Sequence, residues 1–293
     1  MASRREPRAR QPAYIDKLLR TDSRSASGQP ARRLDELFLH LGYWPDPATA
    51  GSDYTELVAA QGRLNDRLLA LSDLRDGLRV LDVGCGIGGT LACIDGRFRG
   101  MELVGLNIDP RQLDAARANI RPAPHNRCAW VQADACALPF DTASFDRVLA
   151  IECIFHFPSR PRFFSEAARV LRPGGVLVLS DFVATPSLRA LRDSAAYPGF
   201  ALEAAIVPAV GPWPDFWGDQ ADDAGLATAA GFRLVAREAA SHETLPSYRC
   251  FLHGKTTAPP DATQLDAVDR AMVVMEWLQA HGHLTMELFV FAR

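Results

Sequence analysis

Residues 151–157, "IECIFHF", put a carboxylate, Glu152, and an imidazole, His156, at the end of an apolar, β-forming run. A neutral imidazole can take a proton from a hydroxyl, an amine or an activated carbon near pH 7, so His156 is the candidate general base and Glu152 a second polar group for the same centre. Asp181 stands in the same relation to the next run, "GGVLVLSDF". A fourth acid, Asp82, sits two residues before the first glycine of "VLDVGCGIGG", residues 80–89. Gly84, Gly86 and Gly88 occupy the turn that follows. Glycine admits positive φ and carries no Cβ, so a ligand can lie directly on the backbone of such a turn.

Further polar groups fall where a nucleoside would need them. "GLNID" ends a second β-rich run with Asn107 and Asp109, placed to take ribose hydroxyls, about 20 residues past the glycines as in dinucleotide folds. "QADACALPF" ends a third with Asp134, an acceptor for an adenine amino group, and Ala135, whose main-chain N–H can donate. A dinucleotide fingerprint reads G-x-G-x-x-G, with pyrophosphate on the helix N-terminus. Here the pattern is D-x-G-x-G-x-G, and the carboxylate of Asp82 would repel pyrophosphate while helping to hold a cationic amino-acid tail. The residues therefore favour S-adenosylmethionine over NAD, with an NAD-dependent oxidoreductase as the competing enzyme class.

A sheet must position these groups. Short continuous apolar runs alternate with helical stretches: "LRVLDVG", a helix from Gly88, "MELVGLNI", a helix from Pro110, "CAWVQAD", "FDRVLAI", a helix over 161–171 and "GGVLVLSDF". Strands that are apolar on both faces, separated by crossover-length helices, indicate a doubly wound α/β domain with a mostly parallel sheet. The chain divides into a loose arm over 1–33, helices over 34–75, a cofactor-binding core over 76–185, an inserted cap over 186–218 and the C-terminal part of the core sheet over 219–293. Within the arm, "YIDKLLR" is a short helical island; helical spacing recurs at Ala31–Leu41 and Asp53–Leu74. The last part holds a helix and strand in "ADDAGLATAAGFRLVARE", a long helix over 261–280 and the terminal strand "TMELFVFAR". Asp222 and Asp223 read as a helix-start charge pair and not as a metal site.

Composition narrows the function classes. The chain has 293 residues, 48% hydrophobic and 23% charged, enough apolar material for one large domain or a domain with a cap. No apolar run approaches the roughly 18 residues of a membrane span, and "MASRREPRAR" lacks the apolar stretch of a secretory signal, so a cytoplasmic protein with no membrane partner is expected. Six cysteines show neither C-x-x-C pairs nor zinc spacing, which predicts no disulfide or metal framework. The net charge is -3 and the basic residues, nearly all arginine, are scattered, which argues against a nucleic-acid partner.

"VLDVGCGIGG", "VGLNIDPRQLDAAR", "VQADACALPF" and "FDRVLAIECIFHFPSRPRFFSEAARVLRPGGVLVLSDF" together resemble the successive motifs of the class I S-adenosylmethionine-dependent methyltransferases, particularly the branch that modifies small molecules and natural products. The resemblance covers residues 53–182 closely and the remainder to the C-terminus loosely. It implies a seven-stranded Rossmann-like sheet with the last strand antiparallel, Gly84 and Gly86 beside the methionine part of the cofactor, and position 107 near the ribose. Many members carry Asp or Glu there, so Asn107 is a departure and Gln112 a helper. Cys85, Ile108 and Ile151 complete the expected cofactor set with Asp82, Asp134 and Ala135. Natural-product sugar methyltransferases carry a histidine at the position of His156 and an aspartate at that of Asp181, which implies His156 as base assisted by Asp181, with Glu152 lining the site.

Methyl transfer from a sulfonium is an in-line displacement, and much of its acceleration comes from holding nucleophile and methyl at near-attack distance. A base is needed only where the nucleophile carries a proton. The expected acceptor is a small apolar or aromatic molecule, methylated at O, N or C with release of S-adenosylhomocysteine. Tyr43, Trp44, Trp213, Phe216, Trp217 and Trp277 are the expected substrate contacts, since aromatic rings can sandwich a flat acceptor or stabilise a cation. C-methylation of an isoprenoid diphosphate is the alternative within the class; it would recruit Mg2+, for which the sequence offers no distinct site. A non-catalytic cofactor-binding subunit is a further alternative, and homo-oligomer formation is left open.

Overall fold

The structure is a computed structural model and describes residues 12–16, 38–51, 53–193, 202–211, 222–253 and 265–293. Its strands are β1 (Arg79–Val83), β2 (Glu102–Asn107), β3 (Arg127–Gln132), β4 (Phe145–Ile151), β5 (Leu171–Ala184), β6 (Arg233–Ala239) and β7 (Leu284–Ala292). They form one sheet in the order β3-β2-β1-β4-β5-β7-β6. Neighbours from β3 to β5 run parallel, and β7 is antiparallel to both β5 and β6. The apolar runs are continuous because the central strands are covered twice. Leu81, Val148 and Leu179 face one apolar layer, whereas Val80, Leu149 and Val178 face the other.

The helices are α1 (Tyr54–Leu71), α2 (Gly89–Arg97), α3 (Pro110–Asn119), α4 (Arg160–Val170), α5 (Pro186–Asp193), α6 (Leu202–Val210), α7 (Asp223–Ala229), α8 (Pro246–His253) and α9 (Ala267–Ala280), with a four-residue helical turn at Ser241–Thr244. Side-chain caps set several of their starts: Asp53 accepts from the Glu56 N–H at 2.8 Å, Asp109 from Arg111 at 3.0 Å with Pro110 in the first turn, and Asp222 from Ala224 at 3.2 Å. The charge pair at 222–223 thus does open a helix.

Two expected helices differ from the structure. The spacing over Ala31–Leu41 predicts a helix; residues 31–37 lie outside the described residues, and residues 38–44 are irregular. Their N–H groups are given to other elements: Leu41 to Glu152, Gly42 to Ser247, Tyr43 to the Ala60 carbonyl and Trp44 to the Glu243 carbonyl, each at 2.9 Å. The long C-terminal helix starts at Ala267, because Asp266 caps it by accepting from the Asp269 N–H at 2.9 Å; residues 261–264 lie outside the described residues. Of the inserted cap, α5 and α6 are described, and α6 buries Ile206 and Ala209 in the same cluster as Val274 and Met275 of α9. Among the described residues no helix is long and apolar enough to cross a membrane, and all six cysteines are free.

Candidate active site

A cavity opens at the carboxyl ends of β1 to β4, where open α/β sheets take their ligands. Each strand delivers its own part of the lining. Asp82, Gly84, Cys85 and Gly86 come from β1 and its turn; Asn107, Ile108 and Gln112 from β2 and the start of α3; Asp134 and Ala135 follow β3; Ile151, Glu152 and His156 follow β4. Every residue expected to touch the cofactor therefore lines one space.

The glycine turn leaves β1 with φ of +71° at Gly84 and +54° at Gly86, and the N–H groups of Gly84 and Cys85 both donate to the Leu106 carbonyl, at 2.8 and 3.0 Å. A Cβ on Gly84 would lie 2.7 Å from that of Cys153, so this position must be bare for packing alone. At Gly86 the nearest atom to a Cβ is Cδ1 of Leu39 at 3.2 Å, across the cavity. Gly88 is also small for packing, since a Cβ there would strike Ile120 and Trp130, but unlike Gly84 and Gly86 it does not line the cavity.

Beyond β2, Asn107 Oδ1 accepts from the Asp109 N–H at 3.0 Å, and its side-chain NH2 lies 3.4 Å from the Gln112 side-chain oxygen. Asn107 and Gln112 thereby stand side by side in buried positions. Asp109 is spent on capping α3 and on an ion pair with Arg111 at 2.8 Å. Ile108 lines the rim and is 62% exposed. After β3, one Asp134 oxygen accepts from the Cys136 N–H at 2.8 Å.

Glu152 sits in the left-handed region, at φ +47°, which for a residue with a Cβ costs on the order of 1 kcal/mol or more. Its N–H is held by the Ser180 carbonyl at 3.0 Å, and the strained turn aims its carboxyl at the Leu41 N–H, 2.9 Å away. Burial pushes the Glu152 carboxyl up to about 8, partly opposed by the bond from Leu41. Burial likewise raises the carboxyl of Asp82 to about 8. Among the described residues neither acid has an ion-pair partner, and no arginine or lysine lines the cavity. His156, in the short helical turn Ile154–His156, is lowered to about 3 by burial and is uncharged at pH 7. Its Nε2 lies 3.1 Å from the hydroxyl of Tyr14.

Asp181 does not assist His156. It is buried at the end of β5 with its carboxylate 2.6 Å from Arg160 of α4, which also meets Asp223 of α7 at 2.7 Å. The expected aromatic contacts disperse as well. Trp44 is buried with Leu57, Ala60 and Cys250 and donates to Glu56 at 2.9 Å, Tyr43 packs beside the core, and Trp277 stacks on His281 and His283 at the surface. None of the three lines the cavity. Trp213, Phe216 and Trp217 lie outside the described residues.

In their place the sequence reading missed Tyr14, Ile15, Phe38, Leu39 and His40, which all line the cavity. The helical island at Tyr14 was visible in the sequence, and residues 13–16 are helical. Its position over the site is held by long-range pairs, Tyr14 with His156 and Asp16 with Arg111 at 2.7 Å, that no local pattern announces.

S-adenosylmethionine fits this lining: bare backbone at the turn, buried amides after β2, a carboxylate after β3, and two acids without cations for a ligand that is itself cationic. A pyrophosphate at the same turn would face Asp82 with no basic side chain to offset it.

Residues 81–179 match the family described as Methyltransferase domain. The chain is similar to methyltransferase GfsG of Streptomyces halstedii, 40% identical over 151 residues that cover 51% of this chain and 52% of that protein. It is also similar to the 27-O-demethylrifamycin SV methyltransferase of Amycolatopsis mediterranei (strain S699), 39% identical over 166 residues covering 55% and 58%. The chain thus spans little more than half the length of these relatives. In fold it resembles geranyl diphosphate C-methyltransferase from Streptomyces coelicolor A3(2), solved with Mg2+, geranyl diphosphate and S-adenosyl-L-homocysteine, at a TM-score of 0.66 over 96% of this chain and 98% of that one, with 17% identity. Joined to the strand order and the glycine turn, these matches make residues 81–179 a methyltransferase domain of the class I, S-adenosylmethionine-dependent type.

Proposed function

We propose that the chain transfers the methyl group of S-adenosylmethionine to a small, apolar, natural-product-type acceptor at O, N or C and releases S-adenosylhomocysteine. The reading is carried by one observation: a buried carboxyl, Asp82, a half-buried one, Glu152, and an uncharged imidazole share a cavity whose described lining holds no basic side chain other than histidine. That one relative acts on 27-O-demethylrifamycin SV supports an acceptor of natural-product type.

The bound cofactor supplies an electrophilic methyl group on a cationic sulfur. Asp82 and the backbone of Gly84 to Gly86 hold its amino-acid tail, Asn107 with Gln112 its ribose, and Asp134 with Ala135 its adenine. Glu152 sets a carboxyl toward the cationic centre. Uncharged His156 faces the acceptor's nucleophile at Nε2, where the acceptor takes over the place of the Tyr14 hydroxyl, and takes the nucleophile's proton as methyl transfer makes that proton acidic; for a nucleophile without a proton it only positions. Residues 38–41 lie over Gly86 and Glu152 and hold the reactants together.

Calorimetric titration with S-adenosylhomocysteine and with NADH tests the cofactor, and heat from NADH alone would overturn the proposal. Incubation with S-adenosylmethionine and a pool of apolar small molecules, followed by mass spectrometry for products heavier by one CH2, tests the reaction. Geranyl diphosphate with and without Mg2+ is the separate arm for the isoprenoid alternative, the one reading in which Mg2+ has a part.

A further inference from the structure

His40 is 7% exposed and lines the cavity, and the proposed mechanism gives it no task. Its Nδ1 lies 2.7 Å from the Leu41 carbonyl oxygen. A carbonyl oxygen only accepts, so Nδ1 carries the proton and Nε2 keeps its lone pair. Among the described residues that Nε2 meets no hydrogen-bond partner. The ring is not free to find one elsewhere: it packs on Phe38 with centroids 5.0 Å apart, and Gln61 clamps the His40 carbonyl at 2.6 Å. Since no donor among the described residues reaches it, a buried acceptor fixed in this way is open to one that arrives with a ligand.

Its neighbours locate that ligand atom. Leu39 abuts the Cβ position of Gly86 at 3.2 Å, and Leu41 donates to Glu152, so His40 belongs to the stretch that runs from the glycine turn to the carboxyl after β4. If the methyltransferase reading holds, the cofactor's amino-acid tail lies beside Gly84 and Gly86, and of its two end groups only the ammonium can donate; a carboxylate would be repelled by a bare lone pair. Burial holds the ring well below the usual histidine range, to about 4, so it is an acceptor near pH 7. We propose that His40 Nε2 accepts a hydrogen bond from the α-ammonium group of the cofactor's amino-acid tail, which makes His40 a cofactor-binding residue. This rests on the methyltransferase reading of the cavity.

The test compares S-adenosylhomocysteine with 5′-methylthioadenosine, which shares the nucleoside and lacks the tail. His40→Asn retains an N–H for the Leu41 carbonyl and, being shorter, has no acceptor at the position of Nε2. It is expected to raise the Kd of S-adenosylhomocysteine about 10- to 100-fold and to leave that of 5′-methylthioadenosine within about twofold, as fits the loss of one bond to a charged donor. Unchanged affinity for S-adenosylhomocysteine overturns the proposal, and so does an equal loss for both ligands, which would make His40 a wall of the cavity. Imidazole nitrogen NMR on the unaltered chain needs no variant: the His40 Nε2 resonance should move on addition of S-adenosylhomocysteine and stay with 5′-methylthioadenosine. If the unaltered chain binds neither nucleoside, the methyltransferase reading itself has failed and takes this proposal with it.

Discussion

Two pairs of acids withdrawn from solvent lie beside this sheet and meet opposite fates. Asp181 and Asp223 close on Arg160, three ionisable groups with relative exposures of 0%, 0% and 1%, and so carry their own cation. Asp82, buried, and Glu152, half-buried, stand in the wall of a cavity and, among the described residues, pair with no cation at all. Burial pushes Asp82 and Glu152 up to about 8. It raises Asp181 as well, although there Arg160 opposes the shift. An acid that brings its cation holds β5, α4 and α7 together; an acid that waits for one marks where a cationic ligand belongs.

The largest effect should come from breaking the first pair. Arg160→Met leaves two acids buried without their cation and is expected to cost about 3–5 kcal/mol of folding free energy, read by urea unfolding. A cost under about 1 kcal/mol would show that the trio is not a unit of the core. On the other side, His156→Ala should slow turnover roughly 10²- to 10⁴-fold if the acceptor's nucleophile carries a proton, while melting temperature and S-adenosylhomocysteine affinity hold. Asp181→Asn sharpens the contrast, since it should lower stability and leave the pH profile of turnover where it was. A shifted profile would restore Asp181 to the catalytic role the sequence assigned to it.

A smaller effect separates the two cavity acids. Asp82→Asn should weaken S-adenosylmethionine and S-adenosylhomocysteine alike, about tenfold, because both present the same ammonium. Glu152→Gln should weaken S-adenosylmethionine by about tenfold more than S-adenosylhomocysteine, because only the former carries a charged sulfur. Equal losses in both variants would remove the distinction between tail and sulfonium.

Legibility in the sequence follows the range of the interactions. The sheet could be read because apolar runs, Gly84 and Gly86, and caps such as Asp109 and Asp222 act within a few residues. Asp82, Asn107, Asp134 and Glu152 could be placed because each lies at or just past the end of a strand that is audible locally. Asp181 lies near the end of β5 and was misassigned, since its fate is decided by Arg160 and by Asp223, residues distant in the chain. The aromatic residues failed for a related reason: Trp44 and Trp277 have ring types suited to ligands, but Glu56 and His281 engage them first. Nothing in "LFLHLGYW" says that its N–H groups will be taken by Glu152 and Ser247, so His40 was passed over.

The least of the expected effects is also the one that compares both regions without altering the site. A carboxyl whose folded pKa stands near 8, above the usual value of about 4, stabilises the unliganded fold below pH 4 and loses that contribution as the pH rises through 8. Ligand binding has the opposite slope, because a cation prefers the ionised acids. Between pH 6.5 and 8 the unliganded protein should therefore lose stability relative to an Asp82→Asn, Glu152→Gln double variant, in which neither carboxyl titrates. Over the same interval the affinity for S-adenosylmethionine should climb, with up to tenfold per pH unit for each proton released and a shallower climb for S-adenosylhomocysteine. Calorimetry in buffers of different ionisation enthalpy counts the protons directly. Arg160 and its two acids add nothing to this difference, since they are the same in both proteins. Parallel slopes for the two ligands would mean that Glu152 does not face the charged sulfur, and the waiting pair would reduce to Asp82 alone.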